Sequence, residues 1–168
     1  MTVQKIIHDP LSLSQPAAKA AASDWQAAQD LLDTLLAHRE SIDGLPPAAG
    51  LAANMIGVNK AIIAVNAGFL PIVMLNPKIV KRSGHYLAEE GCLSLPGIYE
   101  TVERAEKITL RAQDRQGKTF TLTAEGLLAI CIQHELDHLD GKVFVEYLSR
   151  LKQNRIRNKL MKNKRKVM

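Results

Sequence analysis

The amino-acid sequence predicts an α+β fold, in which antiparallel sheets surround a central buried helix and a further helix lies at the C-terminus. The middle of the chain holds several short strand-like runs without a helix between each pair, which favours antiparallel pairing. After these runs comes a helical stretch whose first half is apolar on every side, as is typical of a helix inside a protein. A length of 168 residues suits one domain with its own core.

A first helix is predicted at Ser23-Asp24-Trp25-Gln26, which looks like a capping box at a helix N-terminus. Gly44 and the pair Pro46-Pro47 are expected to end this helix. Helical spacing predicts a buried stripe along its inner face, made of Trp25, Ala28, Leu31, Leu32 and Leu35.

The strands of the middle region are predicted from apolar runs at residues 61–65 and 72–75, and from partly alternating runs at 107–111 and 120–123. The segment that contains Cys92 also looks like a strand. Turn residues separate these runs, and they lie at residues 66–68, Asn76-Pro77, Ser83-Gly84 and 115–117.

A second helix is predicted from about residue 125 to 140, with Gly141 as its C-terminal stop. Its first half, residues 127–132, is apolar throughout and is expected to lie inside the protein. Residues 143–148 are expected to form a short strand, and Ser149 to cap a basic C-terminal helix. We therefore expect a catalytic unit at residues 1–148, with residues 149–168 as a helix of the same single domain.

Charge is unevenly distributed along the chain. Nine of the 22 Lys and Arg residues lie in residues 149–168, which contain no Asp or Glu, so the first 148 residues are net acidic. A basic helix of this kind is typical either of a polyanionic partner such as ribosomal RNA or of a solvated helix that keeps a protein soluble. Charge alone does not separate these two interpretations.

Composition excludes several classes of protein. Two cysteines, Cys92 and Cys131, are too few for a disulfide framework. The N-terminus lacks the apolar stretch of a signal peptide, and no apolar run approaches the roughly 18 residues that span a bilayer. We therefore expect a cytoplasmic protein that binds neither membrane nor DNA.

The segment His134-Glu135-Leu136-Asp137-His138 carries the most chemical information. On a helix, residues i and i+4 share one face, so both imidazoles can reach a single metal ion, and the Glu135 carboxylate points toward whatever else that ion binds. Two imidazoles, one thiolate and an open fourth position are typical of a catalytic metal site. The pattern predicts a metal-dependent hydrolase.

The third ligand is expected to be Cys92, far upstream of the two histidines. Metalloproteases with the same string usually take a third ligand from downstream, but the last 30 residues contain no His and their acids lack the expected spacing. The alternative, two histidines on a solvated helix surface, is disfavoured by the apolar residues that precede them. Cys131 lies in an apolar stretch and is interpreted as a small core residue.

Three segments, taken in order, resemble the bacterial peptide deformylases of the longer type. They are Gly50-Leu51-Ala52-Ala53-Asn54-Met55, Glu90-Gly91-Cys92-Leu93-Ser94, and Gln133-His134-Glu135-Leu136-Asp137-His138-Leu139-Asp140-Gly141. The second and third match the family signatures fully. The likeness covers most of the chain and is weakest over the first forty residues.

The resemblance implies that Cys92, His134 and His138 bind one divalent metal ion. In the family this ion is natively ferrous iron, and zinc, nickel or cobalt can replace it. The implied substrate is the N-formyl-methionyl end of a nascent polypeptide, and the products are formate and a free amino terminus. The family's C-terminal helix can dock on the ribosome, which favours the ribosomal partner for the basic helix of this chain.

The resemblance also implies roles around the metal. Glu135 would act as general base and then as general acid, and the backbone N–H of Leu93 would donate to the developing oxyanion. Arg104 would pair with Glu90 to hold the strand that carries the thiolate ligand. A methionine pocket would be lined by Gly50, Leu127 and Ile130, for which simple core packing is the alternative.

The first segment departs from the family pattern, which reads Gly, an aliphatic residue, Gly, Leu, Ala, Ala, any residue, Gln. Here Ala48 and Ala49 replace the first two residues, and Met55 replaces the glutamine whose amide would donate a second hydrogen bond to the formyl oxygen. A methionine side chain has no N–H donor. Losing one such donor lowers kcat by roughly 10² to 10³. We therefore expect reduced or redirected activity on formyl-methionyl peptides.

Two other functions are compatible with the sequence. One is a metal-dependent amide hydrolase that acts on another N-acyl substrate through the same site. The other is a ribosome-associated homologue without catalytic activity, which the presence of Glu135 disfavours because a binding protein has no evident need for it.

Overall fold

The computed structural model describes residues 3–8, 13–38, 49–67, 70–142 and 150–167. These residues form three α-helices, seven β-strands and two short 3-10 turns, at Ala22–Asp24 and Ala53–Ile56. The helices are α1 (Trp25–Ala37), α2 (Leu127–Leu139) and α3 (Arg150–Val167). The strands are β1 (Gly50–Ala52), β2 (Ile62–Ala67), β3 (Leu70–Ser83), β4 (Tyr86–Cys92), β5 (Leu95–Arg104), β6 (Lys107–Gln113) and β7 (Thr119–Glu125).

The strands form two antiparallel sheets, which confirms the predicted α+β class. Five strands pair in the order β1-β2-β3-β6-β7, and β4 pairs with β5 as a separate hairpin. Four consecutive residues of β2, Ile62 to Val65, are fully buried. Since successive strand residues face opposite sides of a sheet, both faces of β2 are covered. Helices α1 and α2 both pack against β1 and β2.

Helix α1 follows the predicted helical spacing with one exception. Ala28, Leu31 and Leu35 are fully buried in the main core, and Leu32 is partly buried against it. Trp25 was expected in the same stripe, but 57% of its surface is exposed. The reason is that the chain first makes the 3-10 turn, so Trp25 is the first α-helical residue and lies before the part of α1 that contacts the sheet.

The capping interaction of α1 also differs from the prediction. The carboxylate of Asp24 accepts a hydrogen bond from the backbone N–H of Ala21 at 2.9 Å, so the box spans the 3-10 turn and Ser23 is not the capping residue. The residues expected to end the helix, Gly44 and Pro46-Pro47, lie outside the described residues.

Asn76-Pro77 was predicted as a turn but lies inside the long strand β3. The pairing of β3 with β6 shifts register between Leu75 and Lys78, and Asn76 has a φ of +52° at this bulge. Its side-chain amide donates to the carbonyl of Ala20 at 2.8 Å and accepts from the N–H of Ala20 at 2.8 Å. The chain therefore bends here through a β-bulge within one strand, and no turn divides that strand in two. The turns expected at Ser83-Gly84 and at residues 115–117 do separate strands.

Helix α2 begins two residues later than predicted, after Gly126, and ends at Leu139. Most of its residues are buried, but Leu127 is 82% exposed, so the expectation that its whole first half lies inside is wrong for the first residue. The reason is that Leu127 opens the helix at the mouth of a cavity. Gly141 follows the helix with a φ of +77°, and a Cβ there would lie 2.4 Å from the carbonyl oxygen of Ser14.

Helix α3 packs on the β4–β5 hairpin through a small apolar cluster of its own. Ile156 is buried against Ile98 and Val102 of β5, and Leu160 and Cys92 are packed against this cluster. The strand predicted at residues 143–148 and the cap predicted at Ser149 lie outside the described residues. Among the helices of the described residues, none is long and apolar enough to cross a membrane.

Candidate metal centre

The end of β4 and one face of α2 bring three potential metal ligands together. Strand β4 ends at Cys92, and α2 carries His134 and His138 one helical turn apart. One ligand atom from each residue lies within 4.8 Å of the others, and Sγ of Cys92 is 3.3 Å from Nε2 of His138. Within the described residues this is the only group of three such side chains that could hold a metal ion.

A buried carboxylate orients His134. Oε1 of Glu90 lies 2.7 Å from Nδ1 of His134, and because a carboxylate only accepts, Nδ1 carries the hydrogen and Nε2 is left as the ligand atom. Arg104 of β5 holds Glu90 in place, since its Nε and Nη2 donate to the two carboxylate oxygens at 2.6 and 2.8 Å. The pairing of Arg104 with Glu90 that the family implies is present in this chain.

The electrostatics of the centre favour a thiolate at Cys92. Burial raises the pKa of this thiol. The neighbouring His138 and His134 together lower it by more, so the pKa of Cys92 lies well below its ordinary value. Burial likewise raises the pKa of Glu90, and the hydrogen bonds from Arg104 and His134 bring it below its ordinary value. Both shifts favour the anionic forms of Cys92 and Glu90, as a cation site requires.

Glu135 is buried next to the ligands. Its side chain is 2% exposed, and Oε1 lies 4.0 Å from Nε2 of His134. Burial raises the pKa of Glu135, and this effect exceeds the opposing attraction of His134 and His138. A carboxylate with a raised pKa is suited to accept and return a proton.

A cavity of about 350 Å³ opens beside these residues and brings the remaining predicted site residues to one place. Gly50 lies on one wall, at β1, and Leu93 follows Cys92 on the other. Leu127 and Ile130, from the first turn of α2, complete an apolar part, with Leu127 exposed at the mouth and Ile130 buried. The cavity is also lined by Cys92, His134 and Glu135, so two of the three potential ligands border it, while His138 is fully buried behind them.

Met55 lines the same cavity and is almost fully buried. Its sulfur accepts a hydrogen bond from the backbone N–H of Ala52 at 3.4 Å, so the side chain offers no donor to a bound molecule. The neighbouring Asn54 does carry an amide, but Nδ2 donates to the carbonyl of His138 at 2.6 Å. That amide therefore bonds the backbone of α2 and does not replace the missing glutamine as a donor into the cavity. Ala49 lines the cavity, and Ala48 lies outside the described residues.

Two side chains near the site, Asp137 and Gln133, have roles that sequence reasoning did not assign, and Cys131 has a contact beyond the one expected. Asp137 accepts from Nη1 of Arg104 at 2.5 Å and thereby ties α2 to β5. Gln133 clamps the same helix, because its amide accepts from the N–H of Ala105 at 2.9 Å and donates to the carbonyl at 2.8 Å. Cys131 packs against the core as expected, but it also lines the cavity. Their positions within the helical segment are the one signal that could have identified them.

The donor set fits a divalent metal ion. Two imidazole nitrogens and one thiolate form a ligand set that zinc and other first-row transition metals accept, and the fourth side opens onto the cavity. The second nitrogen of His134 is already occupied by Glu90, as is usual for a metal-binding histidine. The arrangement can bind a metal ion, a small carbonyl compound beside it, and one transferable proton.

Comparisons with known proteins agree on one family. The family model described as polypeptide deformylase matches residues 3–154. The peptide deformylase of Alkalilimnicola ehrlichii is 45% identical over 154 residues, which cover 89% of this chain and 82% of that protein. The peptide deformylase of Chromobacterium violaceum is 42% identical over the full length of both chains.

Solved structures give the same result. A crystal structure of a peptide deformylase from Legionella pneumophila superposes with a TM-score of 0.86 at 42% identity, covering 98% of this chain and 96% of that one. The peptide deformylase from Ehrlichia chaffeensis, in complex with actinonin, gives a TM-score of 0.88 at 32% identity and covers 98% and 99% of the two chains.

Proposed function

This chain belongs to the polypeptide deformylase family, and we propose that it removes the formyl group through the site formed by Cys92, His134, His138 and Glu135. As a member it is a metal-dependent hydrolase of the formyl amide bond at the start of nascent peptides. The observation that carries the assignment of residues is the convergence of the three ligand atoms next to a cavity that Cys92, His134 and buried Glu135 line.

Cys92, His134 and His138 would hold the ion, which we propose to be ferrous iron, with zinc, nickel or cobalt as substitutes. When bound, such an ion supplies Lewis acidity toward a carbonyl oxygen and toward water. The protein's part is to fix the ligands. Glu90 orients His134, Arg104 of the next strand fixes Glu90, and Asp137 of α2 in turn accepts from Arg104.

Glu135 would transfer the proton. It takes one from the attacking water and returns it to the departing amine, so that the C–N bond breaks and formate and a free amino terminus leave. The N–H of Leu93 donates to the oxygen that gains charge in the transition state. The apolar part of the cavity, at Leu127 and Ile130, accepts the methionine side chain, and Gly50 lets the peptide backbone approach the wall at β1.

The proposal is tested by purifying the protein without oxygen, measuring its metal content and following formate release from formyl-Met-Ala-Ser. We expect about one metal ion per chain and one molecule of formate for each peptide hydrolysed. A panel of formyl- and acetyl-capped peptides tests the choice of acyl group. Faster release of acetate than of formate would favour an amide hydrolase of another specificity.

We further propose that Met55 lowers the rate on formyl-methionyl peptides. The support is that position 55 lines the cavity while its sulfur already accepts from Ala52. Met55→Gln restores an amide donor, and turnover should rise by up to the roughly 10² to 10³ that one oxyanion donor contributes. Met55→Leu is the matched control because it changes size without adding a donor. No gain from Met55→Gln in the iron-loaded protein would contradict the proposal.

We also propose that the basic helix α3 docks on the ribosome, where nascent chains emerge in the cytoplasm. Support comes from its nine cations and from the exposure of Arg155, Arg157 and Lys159. Neutralising these three residues should weaken co-sedimentation with ribosomes at least tenfold and leave formate release from free peptides unchanged. Equal co-sedimentation of the neutralised variant would contradict this role.

A further inference from the structure

The N-terminal strap, residues 3–8, makes hydrogen bonds to two turns beside the cavity. One turn contains Met55, and the other contains Leu93, the proposed oxyanion donor, and Ser94. The backbone N–H of Ile7 donates to the carbonyl of Met55 at 2.7 Å, and the carbonyl of Ile7 accepts from the hydroxyl of Ser94 at 2.7 Å. One residue therefore links the turn that contains Met55 to the turn that follows Cys92. These two turns are far apart in the sequence, and Met55 of the first and Leu93 of the second both line the cavity.

A second contact reinforces the link to the Ser94 turn. Nδ1 of His8 lies 3.1 Å from the carbonyl oxygen of Ser94, to which it donates. Ser94 is therefore held at its hydroxyl and at its carbonyl, and it is buried. Leu93, whose N–H is the proposed oxyanion donor, directly precedes it and is also buried.

The strap is itself anchored to the rest of the molecule. Ile6 is buried in the main core, and the backbone N–H of Gln4 donates to the hydroxyl of Thr34 on α1 at 2.9 Å. Burial of Ile6, directly before Ile7, fixes the strap next to the two turns, whereas the Thr34 bond lies three residues further away. Because Met55 provides no amide donor, the direction of the Leu93 N–H has more weight in this chain than it would beside a glutamine.

We propose that Ser94, with Ile7 and His8, acts as a positioning group for the Leu93 oxyanion donor. This inference rests on the proposed function, because it assigns the strap a role in the same site. Ser94 does not touch the substrate in this account. It acts by fixing the peptide unit before it, since small errors in donor position weaken stabilisation of the transition state.

The test compares Ser94→Ala, which removes the hydroxyl donor to Ile7, with Ser94→Thr, which retains a hydroxyl. The matched control is Thr34→Val, which removes the strap's hydrogen bond at its distant end. Steady-state kinetics on formyl-Met-Ala-Ser, metal content and hydrogen–deuterium exchange of peptides containing Leu93 are measured for each variant.

For Ser94→Ala we expect kcat to fall about tenfold, less than the roughly 10²-fold effect of a 1 Å misplacement. The KM and metal content should stay within about twofold, and exchange at Leu93 should be several times faster. Ser94→Thr should restore kcat and the exchange rate at Leu93. Thr34→Val should lower the melting temperature and leave kcat and exchange at Leu93 unchanged. His8→Ala, at an exposed side chain, should shift kcat and exchange in the same direction by a smaller factor.

Exchange at Leu93 that is equal in Ser94→Ala and wild type would overturn the proposal. So would an equal loss of kcat in Thr34→Val, because it would show that any weakening of the strap acts through stability alone. If the wild-type protein releases no formate, the proposed function fails, and the exchange measurement with the His8→Ala variant still decides whether the strap positions Leu93.

Discussion

At the scale of single residues, the centre depends on a buried chain of charges behind the ligands. Three short hydrogen bonds join Glu90, Arg104 and Asp137 across β4, β5 and α2, and a fourth joins Glu90 to Nδ1 of His134. Glu90 and Arg104 are both about 95% buried. Removing one member of such a group leaves the other charge buried and unpaired, which is strongly destabilising.

Glu90→Gln tests this interpretation. The amide keeps the shape of the carboxylate but not its charge, and it has one accepting oxygen instead of two. It therefore cannot accept all the hydrogen bonds that Arg104 and His134 donate to Glu90, and Arg104 loses the charge of this partner. We expect the metal dissociation constant to rise about 10- to 100-fold, measured by competition with a chelator. The control is Glu103→Gln on the same hairpin, whose carboxylate is 61% exposed and pairs with His85. Unchanged metal affinity in Glu90→Gln would contradict the role of the network.

The two cysteines should differ in reactivity. Cys92 is a proposed metal ligand that faces the cavity, so bound metal should protect it from iodoacetamide and a chelator should remove that protection. Burial, with a further contribution from Glu135, raises the pKa of Cys131, which should stay unmodified in both states. Peptide mass mapping distinguishes the two sites. Alkylation of Cys92 at equal rates with and without metal would contradict its role as a ligand.

At the scale of elements, the site depends on how closely β1 approaches α2. A Cβ at Gly50 would lie 2.7 Å from Sγ of Cys131, 3.2 Å from the carbonyl oxygen of Ala64 and 3.2 Å from Cγ of Glu135. Glycine is therefore required for the strand to pass beside Cys131 and Glu135 at this distance. The interpretation of Cys131 as a small core residue is consistent with this contact, since a larger side chain would push β1 away.

Gly50→Ala should destabilise the protein by about 1–3 kcal/mol through overpacking and should lower kcat, because Glu135 must shift. Adding Cys131→Ala removes the closest of the three contacts and should recover part of the stability and of kcat. Chemical denaturation and formate release measure the two effects. A double variant no better than Gly50→Ala alone would show that the thiol contact does not limit the approach.

The elements also show what the sequence could predict. Helical spacing identified the buried face of α1 because Leu31 and Leu35 face the sheet whatever precedes them. It failed for Trp25, whose exposure depends on a 3-10 turn that spacing does not encode. Asn76 has the residue type of a turn, but its partner on the N-terminal segment, Ala20, is 56 residues away, so a bulge within β3 was not visible locally.

The site shows the same division. The histidines at i and i+4 and the upstream thiol were predictable because metal chemistry restricts residue type and spacing. Asp137 lies inside the same segment, yet its bond to Arg104 depends on how β5 passes α2. The contacts of Ile7 with Met55 and Ser94 join three distant segments, and no local sequence pattern predicts such contacts.

At the scale of the whole molecule, α3 contacts the β4–β5 hairpin through a small apolar cluster and an ion pair within the described residues. Ile156 and Leu160 pack on β5, and Lys152 pairs with Glu100 at 3.7 Å. The pairs at the surface contribute little to stability, so the apolar contacts carry the attachment. Cys92 is packed against the same cluster, so α3 lies next to the end of β4, which carries the proposed thiolate ligand.

Ile156→Ala should therefore destabilise the protein by about 2 kcal/mol, the lower end for a buried isoleucine, because the cluster is small. Leu151→Ala on the same helix is the control, since Leu151 is 62% exposed and its removal should have almost no effect. Urea denaturation gives both values. An equal effect of the two substitutions would contradict the packing of α3 on β5.

The central claim is that Glu135 beside the Cys92, His134 and His138 centre hydrolyses the formyl amide. The most direct measurement is formate release from formyl-Met-Ala-Ser by iron-loaded wild type and by Glu135→Gln with the same metal content. We expect wild type to release formate and Glu135→Gln to be slower by about 10²- to 10⁴-fold, the usual contribution of a positioned acid–base group. Equal rates at equal metal content would contradict the account.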